Sequence, residues 1–462
     1  MAGIIASEGW NDKGIRGIAP KANLIHSSFT NKSFEFGKKP ALDKTFEILS
    51  FGGDYDYNCS VDPLEMPNEI TCKNIMSMAV ERYNTTKSVN IFNSTLDFSS
   101  KNPKLLDPEL EKLFWSDQIP ISQSTKDHEK QTGAKTVIFI RGAGDGSKNF
   151  GNENQGCNQN NTSCQITGMD PRANHPAMIN VAALDEHRKI ADYSAYGAAN
   201  WISAPGGVGS QQPGSRGITT TCHHGDDPND CDDNYTDIFY GTSAAAAMVS
   251  GVVALMLEAN AYLTWRDIKY ILAKTAIKID ENNNGWITNS ADYNFHNAYG
   301  FGALDAEAAV GMAKHYKERL GQIDKVENQP DNFKRIGFVN VNSSNTFLEA
   351  VKVYIKFGKP DEDYWCQKDP QDCDANLASL SFYLVSPSGA TSEIISPYAI
   401  DKDIDEIELS TNAFYGEPAS GQWELIIKYS GIEILDNDYV TILSSFELKL
   451  YGTKTDISRE NP

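Results

Sequence analysis

Residues 241–260 read as a helix with almost no polar face: Gly241-Thr242-Ser243 opens into Ala244-Ala245-Ala246-Ala247-Met248-Val249, and Val252, Val253, Ala254, Leu255 and Met256 follow. A helix that is apolar all round has to be enclosed by other elements, so the fold must place layers on every side of it. With 462 residues the chain is long enough to build such a core and a second domain besides. The Gly-Thr-Ser step puts a hydroxyl at the helix N-terminus, where unpaired amides and the positive end of the dipole favour a developing negative charge. An acyl-transfer nucleophile needs that environment. The same residues equally suit a serine that caps a core helix.

The flanking sequence predicts the enclosure. Up to residue 320, short apolar strands at 22–25, 89–93, 136–140, 179–183 and 201–204 alternate with helices at 73–83, 264–275 and 305–319, the pattern of a parallel sheet covered by helices. The polar stretch 321–332 reads as a linker. From 333 the texture changes: runs at 347–357, 378–385, 406–409, 423–429 and 441–451 alternate in strand fashion between turn residues, which predicts an antiparallel sandwich over 333–454 and a polar tail over 455–462. The fold class is therefore α/β, a parallel sheet flanked by helices, followed by an all-β, jelly-roll-like sandwich.

A net charge of −21 without a basic patch argues against phosphate backbones and anionic lipid as partners, so no nucleic acid is expected. No run of roughly 18 apolar residues is read as a membrane span. The eight cysteines fall into neighbouring pairs, Cys59 with Cys72, Cys157 with Cys164, Cys222 with Cys231 and Cys366 with Cys373, none with C-x2-C spacing. Four local disulfides are the expectation, and with them an oxidising compartment: the outside, a periplasm or a secretory lumen. The first residues lack signal-peptide order, so the natural chain is expected to start further upstream.

From Gly241 onward the serine block resembles the nucleophile motif of subtilisin-like proteases, with Ala247 standing where that family has proline. Asn174-His175-Pro176 with Ile179 to Ala183, Tyr193-Ser194-Ala195-Tyr196-Gly197 and Ala204-Pro205-Gly206-Gly207 resemble its further turns and strands, in the same order. Leu263-Thr264-Trp265-Arg266-Asp267-Ile268 and Tyr299-Gly300-Phe301-Gly302-Ala303-Leu304-Asp305-Ala306 are similar to kexin-like members, and Thr264 with Asp267 also forms a capping-box pattern. The second domain resembles the P domain of proprotein convertases through Ser386-Pro387-Ser388-Gly389, Phe414-Tyr415-Gly416-Glu417, Gly421-Gln422-Trp423-Glu424-Leu425 and Leu448-Lys449-Leu450-Tyr451-Gly452. Pro387 and Gly389 read as a turn, and Trp423 as a core anchor.

The resemblance implies a serine endopeptidase that acts on polypeptides, with Ser243 as nucleophile. Its histidine, in a His-Gly-Thr motif, and its aspartate would precede Ala2-Gly3-Ile4-Ile5-Ala6, and no histidine in this sequence is followed by Gly-Thr. The 462 residues are therefore expected to be inactive alone, and to lack the sheet's central strand and a sharp unfolding transition. His175, His187, His223 and His224 read as structural or surface residues. Asp145, in Arg141-Gly142-Ala143-Gly144-Asp145-Gly146, stands where the family has an oxyanion-hole asparagine; ionised it would repel the anion, protonated it would donate. Gly144, Ser94 and Thr95 are the expected substrate-binding positions, although Thr95-Leu96-Asp97 departs from the family's Trp-Gly or Leu-Gly. Calcium is the implied cofactor, with oxygen-rich loops at 226–237 and 280–285. The alternative reading is a pseudoprotease that uses the groove and sandwich for binding.

Overall fold

The computed structural model describes residues 1–27, 47–51, 89–94, 138–146, 166–208, 216–222, 234–317, 320, 323–328, 337–343, 346–358, 377–400, 404–429, 432–433 and 442–458. After a short helix α1 (Ala2–Ala6), strands β1 (Asn23–Ser27), β2 (Glu47–Phe51), β3 (Val89–Ser94), β4 (Ile138–Gly142), β5 (Met178–Leu184) and β6 (Asn200–Pro205) form one six-stranded sheet in chain order. Every neighbouring pair in it is parallel. Strands β4 and β5 are buried along their whole length, as parallel strands covered on both faces must be.

Strand β2 corrects an expectation. Its backbone pairs with β1 through Asn23↔Glu47 and with β3 through Ile48↔Ile91, so among the described residues the sheet has no gap. The expected helix at 73–83 lies outside the described residues.

Helix α2 (Thr242–Ala259) packs on β3, β4, β5 and β6 and meets α1. Ala244 to Ala247, Val249, Val253 and Met256 are fully buried. At 18 residues it is long and apolar enough to cross a bilayer, which the sequence reading had not credited to any run. Its burial against the sheet, with α1 beside it, is the physical use of that composition. Alanine at 247 keeps the helix unbroken. An antiparallel hairpin of β7 (Ile218–Thr221) and β8 (Tyr235–Phe239) leads into α2.

Helix α3 (Trp265–Thr275) starts on the expected capping box: Thr264 Oγ1 accepts from Asp267 N, and the Asp267 carboxylate accepts from Thr264 N. A two-stranded ribbon, β9 (Ile287–Thr288) and β10 (Asn294–Phe295), and helix α4 (Ala306–His315) complete this half.

The second half is two antiparallel sheets. One holds β11 (Asp324–Asn328), β13 (Phe347–Phe357), β16 (Glu406–Thr411) and β19 (Leu443–Thr453); the other holds β12 (Phe338–Val341), β14 (Leu380–Val385), β15 (Thr391–Ile395), β17 (Gly421–Tyr429) and β18 (Ile432–Glu433). Strand β11 lies inside the stretch read as a linker and pairs with β19 from Asp324↔Gly452 to Asn328↔Leu448. Among the described residues it is an edge strand, paired with β19, and edge strands are commonly protected by charged side chains, so its polar sequence resembled a connection. The expected turn is present, with Gly389 in the left-handed region and its N–H donating to Ser386 O. Trp423 is fully buried, edge-on to Phe414.

The two halves share a polar, buried seam. Arg266 Nε donates to Glu349 Oε2 at 2.6 Å and its second nitrogen pairs with Oε1. Asn174 Nδ2 donates to Glu408 O, Ser410 N donates to Asn174 Oδ1, and Asn412 Nδ2 donates to Ala199 O. Trp201, fully buried, meets Tyr415 edge-on at 5.2 Å.

Candidate active site

Ser243 is the second residue of α2 and is half-buried, with the fully enclosed alanines behind it. The turn that delivers it needs Gly241, whose φ of +122° only glycine adopts without strain. Two contacts hold Gly241: its N–H donates to Gly206 O at 3.0 Å and to the Tyr193 hydroxyl at 3.2 Å. That hydroxyl in turn lies 2.8 Å from both Gly206 O and Gly207 O. Burial raises the Tyr193 pKa, so it stays a phenol able to donate.

The loop after β4 meets the other side of the helix start. Gly142 sits so near Thr242 that a Cβ on it would stand 2.6 Å from Thr242 Oγ1 and 2.9 Å from Thr242 C. Gly144 N–H donates to Thr242 Oγ1 at 3.2 Å, and Gly144 O accepts from Ala195 N. Asp145 Oδ1 accepts from both Thr242 N and Thr242 Oγ1, each at 2.7 Å. Its carboxylate thus caps α2 from a distant part of the chain, an acidic group at the positive helix end. Ala244 N donates back to Gly241 O. Within the first turn this leaves the Ser243 N–H without an acceptor among the described residues.

The expected site residues fare differently. Asp145 reaches the serine helix as an acceptor. Gly144 has both backbone groups engaged within the protein, its N–H with Thr242 and its carbonyl with Ala195. Ser94 ends β3, in register with Phe51 and Arg141. Thr95, His223, His224 and the cysteines other than Cys222 lie outside the described residues. Cys222 is disulfide-bonded to a partner outside them.

The described histidines named earlier do not serve the serine. His175 is buried, its Nδ1 accepts from Ala177 N, and desolvation, with Lys352 and Lys269 nearby, holds its pKa well below the usual value. His187 is exposed. Tyr193 and Thr242 were missed as site residues, because their role comes from contacts between segments far apart in sequence. Their only local sign is adjacency to the Ser194 and Ser243 motifs.

In loop 280–285 the Asp280 and Asn283 side chains are engaged within the protein. Asp280 Oδ2 already accepts from Tyr299 OH and Asn283 Nδ2, while Asn283 Oδ1 takes Gly285 N and faces His296 Nε2. No group of three or more His, Cys, Asp or Glu side chains suited to a metal occurs among the described residues. Most of loop 226–237 lies outside them.

Residues 1–302 match the subtilase family, and residues 374–450 match the proprotein convertase P-domain. The rat proprotein convertase subtilisin/kexin type 5 is 31% identical over 240 residues, 48% of this chain and 12% of that protein. Furin-1 of Xenopus laevis is 32% identical over 239 residues, 48% and 28% of the respective lengths. The mouse type 7 convertase is 28% identical over 333 residues, 68% of this chain and 38% of its own. The chain therefore spans well under two thirds of these relatives. A crystal structure of the serine protease of Aeromonas sobria superposes with a TM-score of 0.70 at 19% identity, covering 97% of this chain and 80% of that one, a likeness of fold. The chain belongs to the subtilase family, as a kexin-type member in which the peptidase domain is followed by a P domain.

Proposed function

We propose that Ser243 is the nucleophile of a secreted serine endopeptidase. The observation that carries this reading is the Ser243 N–H, the one amide in the first turn of α2 without an acceptor among the described residues, beside a half-buried hydroxyl. In the proposed reaction Ser243 Oγ attacks a peptide carbonyl and that amide receives the oxyanion. The step requires a histidine base and an orienting aspartate; the reading assigns them to the His-Gly-Thr segment and strand that precede Ala2 in the family. Ser94, the last residue of β3, and Thr95, next in sequence, would pair with an extended substrate. Cys222 would pair with Cys231, the other cysteines as Cys59–Cys72, Cys157–Cys164 and Cys366–Cys373, and any calcium would sit in loop 226–237.

One observation favours a second reading, a pseudoprotease that binds peptides without cutting them: Asp145 faces the helix as an acceptor where the family has a donor. A fluorophosphonate probe separates the two. Applied to a form extended upstream to include both His-Gly-Thr and the aspartate strand, it labels wild type and spares Ser243→Ala if the enzyme reading holds. An extended, folded form that stays unlabelled points to binding.

A further inference from the structure

Three Asn-X-Ser/Thr triplets have their asparagine among the described residues: Asn93-Ser94-Thr95, Asn234-Tyr235-Thr236 and Asn342-Ser343-Ser344. Such triplets are acceptors for N-linked sugar in a secretory lumen, provided the finished fold leaves the amide outside. The structure sorts them. Asn93 has no exposed surface, and its strand is laddered on both sides, to Ser50 of β2 and Ile140 of β4. A sugar on its Nδ2 would have to displace the sheet on which α2 rests.

Asn234 is the opposite case. It is exposed and left-handed at φ +74°, turning the chain into β8. Its carbonyl is fixed by Cys222 N at 2.8 Å, while its side-chain amide makes no hydrogen bond among the described residues. Asparagine is among the few non-glycine residues that adopt this left-handed turn conformation readily. Asn342 is likewise exposed, just past the end of β12. The disulfide at Cys222, on the same hairpin as Asn234, needs an oxidising compartment, and the sugar-transfer machinery works in one.

We propose that Asn234 and Asn342 carry N-linked glycans and that Asn93 does not; the proposal rests on the secretory reading above. In the transfer, asparagine Nδ2 forms a bond to the anomeric carbon of a lipid-pyrophosphate-linked oligosaccharide. The carbon–oxygen bond to pyrophosphate breaks, the amide loses one proton, and nothing is oxidised or reduced. Asn234 immediately precedes β8, the strand after which Tyr240 and Gly241 lead into Ser243.

The test is peptide mapping of the full chain isolated from cells that express it from its own gene, after peptide-N-glycosidase treatment in heavy-oxygen water, with Cys222 alkylated beforehand to read its redox state. The expected result is labelled Asn-to-Asp conversion at Asn234 and Asn342, none at Asn93, and one mobility step lost in each of Asn234→Gln and Asn342→Gln. An oxidised Cys222 with unlabelled Asn234 and Asn342 overturns this proposal alone, as does labelled Asn93. A reduced Cys222 with no label overturns the secretory reading and this proposal with it.

Discussion

Asp145 Oδ1 lies 2.7 Å from both the backbone nitrogen and the hydroxyl of Thr242, so the side chain at the oxyanion position acts as a cap for the serine helix. That oxygen takes two hydrogen bonds at the positive end of the helix, the place where an acidic group is favoured. On the proposed reading, an oxyanion held by the Ser243 amide would form with the Asp145 side chain close by. Asp145→Ala removes the cap and should lower stability by about 1 kcal/mol. Asp145→Asn keeps an accepting oxygen and gains two donors, so stability should change little while probe labelling of Ser243 in the extended form accelerates. Urea midpoints together with labelling rates for the two variants check both halves; slower labelling in the asparagine variant would contradict this account.

Gly142 offers a test of how tightly the two segments fit. The added methyl of Gly142→Ala meets both the hydroxyl and the carbonyl carbon of Thr242, and backbone cannot rotate away. Relieving the contact shifts the start of α2 relative to β4. A loss of about 1 to 3 kcal/mol is expected, with Ser243 labelling suppressed in the extended form even at temperatures where the variant is folded, as judged by circular dichroism.

The serine helix, the α3 capping box and the 386–389 turn were legible because their signals are local: an apolar run, a threonine three residues before an aspartate, a glycine where the backbone turns left-handed. Strand β2 and edge strand β11 were not. Glu47-Ile48-Leu49-Ser50-Phe51 mixes polar and apolar positions without alternating, and Asp324-Lys325-Val326-Glu327-Asn328 is polar, as suits a strand that among the described residues is laddered by β19 only. The direction of the Asp145 carboxylate also escaped the sequence, since motif position says which residue stands at a place and nothing about which hydrogen bonds it makes. The Tyr193 hydroxyl belongs to the same class, joining three backbone segments whose proximity is a product of the fold.

The seam between the halves predicts joint unfolding. Arg266 and Glu349 are 2% and 5% exposed, and an arginine left alone at that burial has no solvent to replace its partner. Glu349→Gln should cost about 3 to 5 kcal/mol, whereas replacing both residues with methionine should recover most of that loss. With an unbroken sheet and a continuous seam, the wild-type chain should unfold in one sharp transition. Two separated calorimetric peaks would show that the halves are independent and the seam weak.

Acid should weaken the fold through His296. Its Nδ1 accepts from Ala298 N at 2.9 Å and its Nε2 lies 3.0 Å from Asn283 Oδ1, an arrangement only the neutral ring with its proton on Nε2 can satisfy. Charging the ring means breaking the Ala298 bond in a buried place, and that desolvation lowers the pKa from 6.5 to about 4, with Asp280 opposing. Because the folded value is depressed, the unfolded chain binds more protons between pH 6.5 and pH 4, so stability falls as pH drops through that window. The His296 contribution amounts to about 2 kcal/mol by pH 5. Denaturation of wild type and His296→Gln at pH 7 and pH 5 measures it: the variant should be less stable at pH 7 yet lose less on acidification. Equal losses in the two proteins would assign the acid sensitivity to other groups.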